Sequence, residues 1–225
     1  MMDGSVNEDD TQQQINEAMR VKLSPFLEKL PEPVVLYVWG DETATLWEAE
    51  AYKLGRALAH EFPQVKLELR PRPPLSTHHP LLGVFQLDGQ DLIDHNIRII
   101  GSPVGYQIMT VVAAIQAIAF RGSQLEGKAR INAHRIPAAV TIQMFTTADD
   151  EQGPAMSAIL CNMAVINPKV QVEIIMADIF PDMAVRFDPA GYPYTVINRR
   201  VHIRGPLDED RVMEHVAAAL RSGKS

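Results

Sequence analysis

The sequence predicts an α/β protein built from two consecutive units, each with a mixed central sheet flanked by helices. Short apolar runs typical of buried strands alternate with segments whose apolar residues recur at helical spacing. The order of elements, β-α-β followed by β-β-α, occurs twice, which indicates a duplicated domain rather than a solenoid. We divide the chain into a disordered acidic tail (1–13), unit one (14–121), a linker (122–136) and unit two (137–225).

Unit one is predicted to begin with a helix and to contain four strands. Apolar residues at helical spacing from Ile15 to Leu30 predict the helix, which Pro31 ends. Asp88 and Gly89 form a hairpin-turn signal between the third and fourth strands. The strands are predicted at residues 34–39, 65–69, 83–87 and 96–100.

Capping residues mark the starts of two further helices in unit one. Thr45 and Glu48 have capping-box spacing and open a helix that runs to about His60. Ser102 is predicted as the N-cap, and Pro103 as the first residue, of a helix that continues to residue 120.

The same order of elements returns in unit two. The strands are predicted at residues 138–144, 170–176, 194–197 and 200–203, and the helices at 154–166 and 207–220. The two units are expected to have separate sheets and to pack against each other through an extensive interface.

Charge and hydropathy exclude several classes of function. The formal net charge is −7 and Lys and Arg are dispersed, which argues against nucleic acid as a partner. No apolar run reaches the length of a membrane span, and the acidic start argues against a secretory signal. With a single cysteine, the protein is expected in the cytoplasm, without membrane association.

Several motifs resemble the N-terminal domain of the flavoprotein subunit of bacterial alkyl hydroperoxide reductase. They are Asp150–Pro154, Met163–Pro168 and the turn Gly191–Pro193 in unit two, and Phe26–Leu30 and Gly101–Gly105 in unit one. The resemblance covers nearly the whole chain beyond the tail. It implies two contiguous thioredoxin/glutaredoxin-like folds, of which the second carries an active Cys-x-x-Cys pair in that family.

The chain departs from this family at the reactive position. Where the family has its Cys-x-x-Cys pair, this sequence has Asp150–Gly153, and its one cysteine is Cys161. A dithiol cycle needs two sulfurs within bonding distance, so an intramolecular disulfide is excluded. No Gly-x-Gly-x-x-Gly fingerprint occurs either, so no flavin or other cofactor is expected.

The residues around the lost pair form what we call the vestigial edge: Asp149, Asp150, Glu151, Gln152, Gly153, Pro154, Tyr192 and Pro193. Asp149 and Gln152 have capping-box spacing, which favours a helix cap over a catalytic carboxylate. Asp150→Arg is expected to reverse the local charge at a helix-end cost of about 1 kcal/mol.

Two prolines match the cis-proline that faces the reactive pair in this fold, Pro193 in unit two and, with fewer matching neighbours, Pro80 in unit one. Both are interpreted first as turns inherited with the fold. The alternative is that the backbone beside Pro193 still pairs with an extended segment of a partner protein.

The remaining chemistry-bearing residues give no catalytic pattern. Cys161 lies inside a predicted helix among apolar neighbours, which favours a core residue with a raised pKa. His78 and His79 lie in a Pro-rich loop with no further ligand at metal-binding spacing, so no metal site is expected.

Two hypotheses of function follow. The first is a non-catalytic, protein-binding adaptor or chaperone-like module connected with redox or peroxide metabolism. The second is a one-cysteine thiol-disulfide oxidoreductase that uses Cys161 with glutathione or a partner thiol. The exposure and thiolate fraction of Cys161 distinguish them. The oligomeric state is left open.

Overall fold

The computed structural model describes residues 8–74 and 76–221, with side chains from residue 17 onward. Within these residues the helices are α1 (Glu8–Leu27), α2 (Leu46–Glu61), α3 (Ile108–Ala119), α4 (Gly127–His134), α5 (Gly153–Ile166), α6 (Pro181–Val185) and α7 (Glu209–Arg221). The strands are β1 (Val34–Trp39), β2 (Val65–Arg70), β3 (Leu81–Asp88), β4 (Asp91–Ile100), β5 (Val140–Thr146), β6 (Val170–Met176), β7 (Tyr194–Ile197) and β8 (Val201–Arg204).

The eight strands form one mixed sheet in the order β2-β1-β3-β4-β6-β5-β7-β8. In the first half, β1 is parallel to β2 and antiparallel to β3, and β3 is antiparallel to β4. The second half repeats this pattern with β5, β6, β7 and β8. The duplicated α/β architecture predicted from the sequence is therefore confirmed.

The expectation of two separate sheets is wrong, because β4 and β6 pair in parallel and join the halves edge to edge. Ile97 pairs with Val172 and Ile100 with Ile175. This pairing covers an edge strand in each half that would otherwise leave unpaired backbone groups. Helices α3 and α5 pack against each other above the junction.

The main hydrophobic core lies on the face of the sheet that α2, α3 and α5 cover. Its fully buried members include Leu36, Ile99, Ile115, Ile142 and Leu160. A smaller core lies on the opposite face of the second half only. Because the main core contains residues of both halves, we expect neither half to be stable alone.

Two segments of the predicted domain organisation contain helices. Helix α1 starts at Glu8, inside the segment predicted as a tail, while residues 1–7 lie outside the described residues. The segment 122–136, predicted as a linker, contains α4, which buries Ala129 and Ala133. The Asn167 side chain donates hydrogen bonds to the carbonyls of Ala133 and Ile136, which fixes α4 to the second half.

The helix predicted to start at Ser102 begins later. A single 3₁₀ turn spans Gly105–Gln107 and α3 follows from Ile108. The chain before it stays extended because the second half holds it: the Tyr106 N–H donates to the carbonyl of Ala148 at 3.0 Å. Ser102 caps nothing, and its buried hydroxyl has no hydrogen-bond partner among the described residues.

Candidate functional site

The Asp150 carboxylate caps the N-terminus of α5. One carboxylate oxygen, Oδ1, accepts hydrogen bonds from the N–H groups of Gln152 and Gly153, each at 3.0 Å. The other, Oδ2, accepts from the Thr146 hydroxyl at 2.8 Å. Only 8% of Asp150 is exposed. The capping box predicted for Asp149 and Gln152 is wrong, because the capping bonds come from Asp150.

The residues that can stand at positions 150 and 153 depend on each other, because the Asp150 carboxylate fills the space that a side chain at position 153 would need. A Cβ atom at Gly153 would lie 2.5 Å from the Thr146 hydroxyl and 2.8 Å from Oδ2 of Asp150. Such distances are shorter than van der Waals contact, so any larger residue forces its neighbours to move. The position of the family's second cysteine is therefore restricted to glycine as long as Asp150 caps the helix.

The first half completes this site with residues that the sequence did not single out. The Gln107 side chain, fully buried, donates to the carbonyls of Thr147 at 2.9 Å and Asp150 at 2.8 Å. Thr110 in turn donates to the Gln107 side-chain oxygen at 2.8 Å. These bonds hold the loop before α5 in place across the junction. No local pattern marks Gln107, which is one uncharged polar residue before an apolar helix.

The Tyr192–Pro193 peptide bond is cis, as is His79–Pro80 in the first half. The Asp178 carboxylate accepts the Ala148 N–H at 3.0 Å, in the loop before α5. Partial burial, with a smaller effect of the Asp178 charge, raises the pKa of Tyr192. That the turn and the helix start form one edge stays a prediction.

The surface of the vestigial edge is acidic, whereas its buried part is a hydrogen-bonded network around the Asp150 carboxylate. Asp149, Glu151 and Gln152 are exposed, while Gly153 and Pro193 are buried. The Tyr106 hydroxyl donates to the Glu151 carboxylate at 2.6 Å, and this hydrogen bond raises the pKa of Tyr106. The edge thus presents a tyrosine, carboxylates and backbone groups. The Asp150 carboxylate itself is engaged by three donors of its own chain.

The thiol of Cys161 lies in the core, away from this edge. Its side chain is fully buried in the main hydrophobic core, in the middle of α5. Burial raises its pKa to about 12, so almost no thiolate exists near neutral pH. The sequence-based interpretation of Cys161 as a core residue with a raised pKa is confirmed.

The equivalent helix start in the first half contains a buried ion pair. Glu48, with no exposed surface, accepts two hydrogen bonds from the Arg72 guanidinium, at 2.8 and 2.6 Å. The Asp41 N–H and the Thr45 hydroxyl also donate to it. Desolvation raises the pKa of Glu48, but the bonds from Arg72, Asp41 and Thr45 outweigh it and the pKa is lowered.

Within residues 8–74 and 76–221, no group of three His, Cys, Asp or Glu side chains has a metal-binding arrangement. His78 instead lies 3.0 Å from an Asp182 carboxylate oxygen and packs edge-on against Phe180, which ties the Pro-rich loop to the second half. No helix in the described part of the chain is long and apolar enough to cross a membrane.

Comparison with known proteins finds solved structures that are similar to this chain, but no matching sequence family. No protein-family model matches the chain, and no curated protein matches it significantly. The NTD_N/C domain of the alkylhydroperoxide reductase AhpF from Enterococcus faecalis superimposes with a TM-score of 0.80 and 21% identity, over 89% of this chain and 98% of that one.

A protein disulfide oxidoreductase from Aeropyrum pernix also gives a TM-score of 0.80, with 19% identity over 92% of this chain and 94% of its own. Sso1120 from Sulfolobus solfataricus gives 0.58, with 17% identity over 83% and 99%. At identities this low the similarity defines the fold and not the activity. The chain has the tandem thioredoxin-like fold of the AhpF N-terminal domain and of the archaeal protein disulfide oxidoreductase.

Proposed function

We propose that this protein is a non-catalytic thioredoxin-like module that binds another protein through the vestigial edge. The observation that carries the proposal is the Asp150 carboxylate, which fills the position of the reactive pair and is satisfied there by three donors. Reactive chemistry is thus replaced by a structural cap, while the cis turn beside it is retained.

Binding at this edge needs backbone groups that an extended segment can pair with. Tyr192, directly before the cis-proline, lies outside β7 and forms no backbone hydrogen bond with the described residues. Of the other residues assigned to this edge, Asp149 and Glu151 are exposed. A partner segment pairing with the backbone of Tyr192 would gain hydrogen bonds without any covalent step.

The alternative hypothesis, an oxidoreductase that uses Cys161, has little support. The Cys161 thiol is fully buried, so a partner disulfide cannot reach it. Because its pKa is about 12, almost none of it is the thiolate that would attack such a disulfide. We therefore place the partner, and not the chemistry, in redox or peroxide metabolism, by analogy with the solved structures that share the fold. A cytoplasmic location stays a prediction from the single cysteine.

The proposal is tested by capture of a partner from native extract on immobilised full-length protein. Asp149→Lys with Glu151→Lys reverses the exposed charge of the edge and should reduce capture of the same partner at least several-fold. Glu28→Lys with Asp91→Lys, two exposed carboxylates elsewhere, is the matched control and should leave capture unchanged. Equal capture by both variants would show that the edge is only an inherited feature of the fold.

A further inference from the structure

The second face of the sheet is covered in one half and open in the other. In the second half, the connection from β6 to β7 contains α6 and packs Phe180, Met183 and Phe187 onto the sheet, where they form the smaller core. In the first half, the equivalent connection from β2 to β3 has no helix in its described residues.

The open face of the first half carries an aromatic cluster, Tyr37, Trp39 and Phe85, which belongs to neither core. Register pairs Tyr37 with Gly83, and Val35 with Phe85, so these side chains share one face. The ring centroid of Tyr37 lies 5.2 Å from that of Trp39 and 4.6 Å from that of Phe85. All three rings are only partly buried.

Glycine at position 83 is part of this arrangement. A Cβ atom there would lie 2.9 Å from the Trp39 ring, so the absence of a side chain lets the indole lie against the strand backbone. The result is a closely packed aromatic cluster at the centre of the open face. It continues toward the hairpin end, where Leu92 is 45% exposed.

Cationic side chains surround the aromatic cluster. Arg70 lies over the Tyr37 ring at 5.6 Å, and Arg98 over the Trp39 ring at 5.7 Å. Arg98 is held by Asp94, whereas half of the Arg70 side chain is exposed and forms an ion pair with the partly buried Glu68. Lys66 lies on the same face, beside Val35, and no described carboxylate pairs with it.

The segment that covers the same face of the second half is acidic and apolar, and its composition complements the cationic and aromatic side chains of the open face. Residues 178–190 contain three aspartates and one arginine together with the apolar side chains of the smaller core. In the second half this face is therefore covered by an acidic segment in which the short helix α6 lies between Phe180 and Phe187.

We propose that the open face of the first half binds a short acidic segment of a partner protein, with aromatic side chains placed on the Tyr37–Trp39–Phe85 cluster. Its carboxylates pair with Lys66 and Arg70 at the edge strand. This site lies on a different surface from the vestigial edge and does not depend on the proposed function.

The probe is a synthetic peptide with the sequence of residues 178–190, titrated into full-length protein carrying Trp47→Phe, so that Trp39 is the only fluorescent indole. Saturable change in Trp39 emission is expected, with amide shifts in two-dimensional NMR spectra confined to β1, β2, β3 and β4. A control peptide with serine in place of the two phenylalanines and the methionine should not bind.

The charge contribution is tested by Lys66→Glu with Arg70→Glu, which should weaken peptide binding about fivefold or more, as expected for two exposed ion pairs. Lys29→Glu with Lys53→Glu, exposed lysines elsewhere, is the control and should bind as the unaltered chain does. Thermal unfolding checks that both variants are folded.

Three outcomes would overturn the proposal. They are no change at millimolar peptide, amide shifts at the vestigial edge instead of β1 and β3, and concentration-dependent shifts of the same strands without peptide. The last outcome would mean that this face binds a second copy of the chain.

Discussion

Each half of the molecule has a buried carboxylate near the start of the helix that follows its first strand, but the two are stabilised differently. Glu48 in the first half is paired with a cation, Arg72, and also accepts from a hydroxyl and a backbone N–H. Asp150 in the second half has only neutral donors, two backbone N–H groups and a hydroxyl.

The difference shows how this fold tolerates the loss of its reactive pair. A helix start directed into the protein leaves N–H groups that need acceptors. In the first half the acceptor is the Thr45 hydroxyl, which in turn donates to Glu48, and the Arg72 partner of Glu48 has 44% of its side chain exposed. In the second half the acceptor is enclosed by the other half through Gln107. The second site is therefore more sensitive to substitution.

The largest effect is expected for Asp150→Arg. The substitution removes the acceptor for three hydrogen bonds and places a cation beside donors, so the loss of stability should be about 3 kcal/mol or more. This differs from the cost of about 1 kcal/mol expected from the sequence, because Asp150 is buried. Urea unfolding measures it.

The matched control is Asp149→Arg, one position earlier and exposed, which should change stability by less than about 0.5 kcal/mol. Equal losses for the two variants would mean that Asp150 contributes no more than an ordinary surface carboxylate.

Gly153→Ala should have the next largest effect, about 1–3 kcal/mol, because its Cβ overlaps the Thr146 hydroxyl and the Asp150 carboxylate. Gly127→Ala is the control: a Cβ there has no neighbour within 4 Å, and alanine favours the helix, so stability should stay equal or rise.

Adding Asp150→Ala to Gly153→Ala should cost less than the sum of the single changes, since the clash with the carboxylate is gone. Strict additivity would contradict the coupling of these two positions.

These sites also show what the sequence could and could not predict. Strands β6 and β7 have the predicted bounds, Val170–Met176 and Tyr194–Ile197, because short apolar runs between turn residues define buried strands locally. The Thr45 cap was predicted correctly for the same local reason. Which of Asp149 and Asp150 caps α5 was not predicted correctly, because the spacing of capping residues gives no information on the conformation of the loop before the helix.

The features that depend on contact between the halves have no local signal. The pairing of β4 with β6 joins strands about 75 residues apart, a separation over which apolar periodicity carries no information. Likewise Gln107 gains its role only because the junction brings Thr147 and Asp150 to it. The sequence therefore predicts the two halves well and their joining poorly.

A smaller, pH-dependent effect is expected in the first half. Since the pKa of Glu48 is lowered in the folded protein, its contribution to stability is complete above its ordinary value of 4.5 and disappears as the pH falls through the folded-state pKa. Glu48→Gln should therefore cost about 1–2 kcal/mol at pH 7 and progressively less below pH 4.5.

Urea unfolding at a series of pH values checks this. The control is Glu28→Gln, an exposed carboxylate whose removal should leave the pH dependence nearly unchanged. A Glu48→Gln cost that stays constant down to pH 3 would show that the lost interaction is steric and not ionic.

The smallest effect is expected for Cys161, the one cysteine of the chain, which lies in the second half. Because its thiol is fully buried and its pKa is raised to about 12, a thiol reagent such as iodoacetamide should not modify the native protein, and should modify it fully in urea. Insulin reduction by the purified protein with dithiothreitol should equal the background, with or without Cys161→Ala. Activity that Cys161→Ala abolishes, in a variant that still unfolds cooperatively, would instead require the core around α5 to open and would restore the one-cysteine hypothesis.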